Sequence, residues 1–169
     1  MSKYDSRADT IRHIGTVRKY IARLVHDLSK REITHDTSKL KDPELYVFNK
    51  VTPKLKELTY GSDEYNAQLK EMDVALKHHY ENNPHHPEHY EKGISGMSLV
   101  DLCEMIADWK AASERHGDGD IYKSIEINQK RFGYSNELKS ILINTVDRYF
   151  IEQDTENIMD KDYNFDTGM

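Results

Sequence analysis

Five of the nine histidines in this 169-residue chain fall in one stretch, Leu76 to Tyr90: His78, His79, His85, His86 and His89. Imidazole is the commonest metal ligand and the usual proton carrier near neutral pH. Pro84 and Pro87 interrupt the stretch, which is not the composition of a solvated helix face. A chance His-rich loop is the alternative.

Three further places carry matching chemistry. His13 falls beside an apolar helical stripe, where a lone histidine is more often a satisfied core residue than a ligand. His35-Asp36 sets an imidazole beside a carboxylate, and on the first turn of a helix both would reach one cation; a surface ion pair or a cap is the competing use. Asp101, Glu104 and Asp108 share a helix face by their three- and four-residue steps, a pattern that usually faces solvent. Mixed imidazole and carboxylate ligands from several helices suit manganese, iron, cobalt, nickel or zinc, with room in the histidine cluster for a second metal.

These groups need helices to position them. Ile11, Ile14, Val17, Ile21, Leu24 and Leu28 predict an amphipathic helix from about Ser6 to Lys30, with His26-Asp27 mid-helix and so a decoy. Asp42-Pro43-Glu44 starts the next helix, which Pro53 should kink or split. Tyr60 to Asp63 reads as a turn. Tyr65, Leu69, Met72, Leu76 and His79 then form one stripe, so His79 is expected to face the interior and His78 to be rotated away from it. Ser98, with Asp101 three residues later, opens a helix. Glu114 to Asp120 is a Gly- and Asp-rich loop, and Gly133-Tyr134-Ser135 separates two last helices ending near Glu152. No strand alternation is visible. The expected fold is all-α, a single-domain bundle of six or seven helices over residues 1–152, with an acidic mobile tail over 153–169.

Composition narrows the partners. A formal net charge of −6 argues against bulk nucleic-acid binding, while a metal can still attract a small anionic substrate. No apolar run approaches a membrane span. The single cysteine, Cys103, excludes an internal disulfide, fits a reducing cytosol and is expected as a core thiol. Homo-oligomerisation stays open.

In order and local context these residues resemble the HD-domain metal-dependent phosphohydrolases. Arg12-His13 with Val17 resembles that superfamily's first-helix motif. His35-Asp36-Thr37-Ser38-Lys39 resembles its His-Asp-x-Gly-Lys, with Ser38 in place of Gly. Ile106-Ala107-Asp108-Trp109 resembles its final motif. His78-His79-Tyr80-Glu81 is similar to the paired histidines of a multi-metal branch, whose further histidine between the His-Asp and His-His pairs is missing here. The His-His-Pro-Glu-His loop lies outside the superfamily pattern. Taken whole, the chain looks closest to an uncharacterised phage and bacterial family with His-Asp-x-Ser-Lys and His-His-Pro-Glu-His motifs.

The resemblance implies an HD-like helical fold in the cytoplasm of a bacterial or phage-infected cell. It implies a divalent metal held by His13, His35, Asp36 and Asp108, with His79 joining it, and a small phosphorylated substrate such as a nucleotide. Lys39, His79, His85, His86 and His89 are then the catalytic candidates. Lys39, His78 and Arg115, with His116 beside it, are candidates for holding substrate. Two other readings compete with phosphoester hydrolysis: a dinuclear-iron oxygenase with a similar ligand set, and a non-catalytic helical protein that keeps a metal or binds a partner.

Overall fold

The computed structural model describes residues 4–57, 63–115 and 119–151. Residues 60–62 of the turn expected over Tyr60–Asp63, His116 and the acidic tail from 153 lie outside them. Among the described residues the chain is all-α, with no strand. Six helices are present: α1 (Arg7–Thr34), α2 (Glu44–Glu57), α3 (Asp63–Asn82), α4 (Leu99–Ser113), α5 (Ile121–Phe132) and α6 (Asn136–Tyr149). Short 3-10 turns cover Thr37–Leu40, Pro87–His89 and Gly93–Gly96. No helix among the described residues is long and apolar enough to cross a membrane.

The helices fall into two compact units, Met1–Asp108 and Trp109–Met169, divided within α4. In the first, α2 packs along α3, and the Thr37–Leu40 turn rests on both. Val51, Ala75, Val100, Met105 and Ile106 are its buried apolar residues. α4 opens as expected: Asp101 Oδ2 accepts from the Ser98 amide (2.8 Å) and hydroxyl (2.7 Å), a reciprocal cap that satisfies otherwise orphaned donors. α2 runs through Pro53 to Glu57 instead of splitting there.

The second unit is a helix pair. Asp120 caps α5 by accepting from the Tyr122 and Lys123 amides. Gly133, at φ 67°, ends that helix in the left-handed conformation that glycine adopts without steric cost. Ile121, Ile125, Tyr134, Leu142 and Val146 are buried, and the Tyr134 hydroxyl donates to the Ile125 carbonyl at 2.6 Å. Trp109 stacks on Phe132 and Tyr134.

Two expectations need correction. α1 is longer than its apolar repeat suggested, and none of its residues is buried. Periodicity shows which face is apolar, not whether another element covers it. Cys103 is exposed rather than a core thiol, because α4 buries the neighbouring face that carries Met105 and Ile106.

Candidate metal centre

Four segments of the first unit bring imidazole and carboxylate groups together. The first is the end of α1. His35 caps that helix, its amide donating to the Arg31 carbonyl at 2.8 Å. Asp36 follows at φ 54°, in the left-handed region that few side chains besides Asn and Asp tolerate. The pair therefore sits on a sharp stop after a helix, not on a helix's first turn as expected. The second segment is the last turn of α3, with His78 and His79. The third is the loop carrying His85 and His86, held against α3 by the Pro87–His89 turn. The fourth is α4, with Glu104 and Asp108. Tyr90 ties the loop to α4 by donating to Asp101 Oδ2 at 2.8 Å. Gly96 permits that approach, since a Cβ there would lie 2.8 Å from Tyr90 Cβ.

The two oxygens of Asp36 face different partners. Oδ1 lies 3.3 Å from His79 Nε2 and 3.6 Å from His85 Nε2. Oδ2 lies 3.6 Å from His35 Nε2 and 2.6 Å from Lys39 Nζ. Asp108 Oδ1 is in turn 3.6 Å from His35 Nε2. One group of ligand atoms is thus Asp36, His79, His85 and His86, and a second is His35, Asp36 and Asp108, each within 4.8 Å mutually. Four ligands placed tetrahedrally at about 2.1 Å from a cation are about 3.4 Å apart. The observed separations bracket that value.

Two glutamates, Glu44 buried and Glu104 half-buried, orient the rings. Glu44 is fully buried, and its Oε2 accepts from His79 Nδ1 at 2.8 Å while Oε1 accepts from His78 Nδ1 at 2.7 Å. A carboxylate only accepts, so Nδ1 of His79 carries the proton and Nε2 the lone pair. That lone pair meets His86 Nε2 at 2.8 Å. Two ring nitrogens at this distance repel unless a proton or a cation stands between them. Asn83 completes the setting by donating to the Ser38 hydroxyl and the His79 carbonyl, both at 2.8 Å.

Glu104 does the same on the other side. Its Oε1 accepts from His35 Nδ1 at 2.9 Å and lies 3.1 Å from His85 Nδ1, while Arg31 holds Oε2 at 2.8 Å. His35, His85 and Glu104 lie close enough to be drawn as a third ligand group. The geometry favours an orienting role for Glu104, because a ring that gives Nδ1 to a carboxylate offers Nε2 to the cation.

Electrostatics follow this layout. Asp108 first, then Glu104, raise the His35 imidazole to about 10. Burial, reinforced by His85 and His79, lowers His86 to about 3, and burial also lowers His79. Burial pushes Asp36 up, but Lys39 and the nearby imidazoles outweigh it and hold the carboxyl below its ordinary value. Asp108 is held low in the same way, His35 outweighing burial. Asp36 Oδ1 and both ring nitrogens of His85 are buried with no hydrogen-bond partner. Such atoms cost on the order of 1–3 kcal/mol each unless a ligand satisfies them. This donor set fits a divalent transition metal.

Other expected residues fall elsewhere. His13 is exposed and outside every ligand group. It precedes His35 by 22 positions on a continuous helix, roughly 33 Å of axial rise, so its assignment as a ligand is withdrawn. His89 is outside the groups as well, with its Nδ1 donating to the Tyr80 carbonyl at 2.7 Å, so a catalytic role is withdrawn for it too. His78 lines a polar cavity of about 470 Å³ with Thr37, Ser38, Asn83 and Glu104, whose lining includes none of Asp36, His79, His85 and His86. Arg115 is exposed in the second unit. Glu44 and Glu104 were missed: one read as a helix start, the other as part of a solvent-facing line.

Comparison with known proteins supplies a family without an activity. No curated protein and no solved structure matches the chain. Residues 2–161 match the Family of unknown function (DUF5662), which covers the cluster from His35 to Asp108, and the chain belongs to that family.

Proposed function

We propose that this protein is a metal-dependent hydrolase of a small phosphate ester, with a nucleotide as the leading substrate class. The observation that carries the reading is the pair of buried, unpartnered atoms Asp36 Oδ1 and His85 Nε2, 3.6 Å apart, with His79 Nε2 3.3 Å from the same Asp36 oxygen. The resemblance to HD-domain phosphohydrolases in His35-Asp36 and Asp108 supports the choice of reaction.

His79, His85 and His86 with Asp36 would hold the cation. A divalent metal there supplies a Lewis acid for a phosphoryl oxygen and lowers the pKa of bound water. His35 and Asp108 form the solvent-accessible edge, with side chains 32% and 20% exposed against 2% and 1% for His79 and His85. The protonated His35 imidazole, with Asp108 Oδ1 3.6 Å from its Nε2, is placed to give a proton to a leaving oxygen. Lys39, paired with Asp36 at 2.6 Å and partly exposed, can turn to a phosphate oxygen without leaving the site. Glu44 and Glu104 keep the rings in the ligating tautomer.

A second reading has its own observation. Asp36 presents one oxygen to each ligand group, as a carboxylate bridging two cations does, and a dinuclear iron centre could activate oxygen. One experiment separates the readings: metal analysis of the purified protein, then turnover of nucleotides and cyclic nucleotides with manganese, cobalt, nickel or iron added. Metal-dependent hydrolysis of a phosphate ester bond, read as free phosphate or as a ring-opened monophosphate, supports the proposal. Two irons per chain with an oxygen-dependent product supports the alternative. A metal-bound protein inert in both assays overturns both.

A further inference from the structure

α1 presents an apolar face that nothing described in the chain covers. None of its 28 residues is buried. Ile11 is 69% exposed, and Ile14, Val17, Ile21, Leu24 and Val25 lie between 40% and 55%. A helix gains most of its stability in a protein by packing such a face, and contiguous exposed apolar patches mark interaction sites.

The spacing of that face describes its occupant. Ile14, Val17, Ile21, Leu24 and Leu28 step by three, four, three and four residues, the repeat of a coiled-coil seam. Ile11, Arg18 and Val25 flank it on one side, and His13, Tyr20 and Asp27 on the other. α1 carries seven basic side chains against three acidic, in a chain of net charge −6. Arg12, Lys19, Arg23 and Lys30 point away from the seam by the 100° step of the helix, so they do not oppose a like helix laid along it.

We propose that the seam pairs α1 with α1 of a second copy, antiparallel. With Val17 opposite Ile21 of the second copy, Ile14 meets Leu24, and the pairing repeats by symmetry. The flanks then match: Ile11 lies by Val25 of the second copy, and His13 by Asp27. The parallel arrangement instead brings Asp27 against Glu32 and His13 against Arg18, so charge selects the antiparallel one. Two like-charge contacts remain: Arg18 meets its own copy near the two-fold axis, where both guanidinium groups reach solvent, and Arg7 falls opposite Arg31 at each end, where Asp5 pairs the first and Asp101 and Glu104 the second within their own chain. The proposal is independent of the metal centre.

The test is oligomeric state by sedimentation and light scattering on the full chain. The expected mass is twice that of one chain, and Ile21→Asp with Leu24→Asp returns it to one. Lys19→Asp, on the opposite face, leaves the dimer intact. Should the double variant not fold, cross-linking decides. In a Cys103→Ser background, Ile14→Cys and Leu24→Cys proteins carrying different tags are mixed and oxidised. Disulfides joining the two tags support the antiparallel pair. Disulfides within one tag only would mean a parallel pair and overturn the proposal. A monomer at every concentration overturns it too, whether or not that monomer sediments with phosphatidylserine vesicles.

Discussion

Every polar or charged side chain buried among the described residues belongs to the first unit: Glu44, His79, Asn83, His85 and Asp101. The second unit buries Ile121, Ile125, Tyr134, Leu142 and Val146, whose one polar tip, the Tyr134 hydroxyl, is bonded to a carbonyl. Apolar burial stabilises by about 25 cal/mol per Å², whereas buried polar and charged groups cost free energy unless each finds a partner. In the first unit most do, through Glu44, Glu104, Arg31 and the Ser98–Asp101 cap. The residue that stays unsatisfied is concentrated at Asp36 and His85. One unit therefore has an apolar interior. The other carries a costly polar interior that leaves atoms of Asp36 and His85 without a partner in the chain.

The sharpest way to break this contrast is Asp36→Ala. It should remove bound metal and turnover entirely while leaving far-UV circular dichroism near that of the parent, since the apolar contacts remain. Metal stoichiometry unchanged in the variant would end the assignment. In the second unit the pattern should reverse. Leu142→Ala is expected to cost about 2–5 kcal/mol in denaturant unfolding, as core truncations do, while folded molecules bind metal normally.

The orienting glutamates sit between these extremes. Glu44→Gln and Glu104→Gln keep the shape but lose the carboxylate, and each should weaken metal affinity about 10–100-fold in a chelator competition. An unaltered affinity would reduce both residues to packing.

Asp101 gives a pH test of the polar interior. Burial pushes its carboxyl up, but Ser98, Tyr90 and Arg31 outweigh that and hold it below its ordinary 3.8. Its folded value is thus below its unfolded one, so its contribution is complete above the unfolded value and is lost as pH falls through the folded value. Asp101→Asn should flatten the acid side of the stability profile, read by thermal melts of the metal-free protein between neutral pH and acid. The smallest effect belongs to His13→Ala, for which metal content and turnover should not change.

Local patterns carried part of this into the sequence. His79 continues an apolar stripe, and Pro84 and Pro87 announce a constrained loop, so the cluster could be anticipated from neighbouring residues. Glu44 and Glu104 could not. Their roles depend on partners 34 and 35 positions and 69 positions away, and nothing local to a carboxylate tells a buried one from a solvated one. Arg31 was the usable sign, standing one helical turn before His35 on the face that would have to meet carboxylates. His13 failed for the opposite reason: its local pattern was sound, but burial of the whole of α1 was assumed.

The site also lies where two helices finish. α1 delivers His35 from its end and α3 delivers His79 from its last turn. Aligned peptide dipoles leave about half a negative charge at each such end, worth roughly 0.3–1 kcal/mol to a nearby cation and adverse to an anion by the same sign argument. Asp36 and Asp108 add to that negative end. On the proposed function, this field predicts ordered loading: the metal enters first, and an anionic substrate binds only after the cation has neutralised the site.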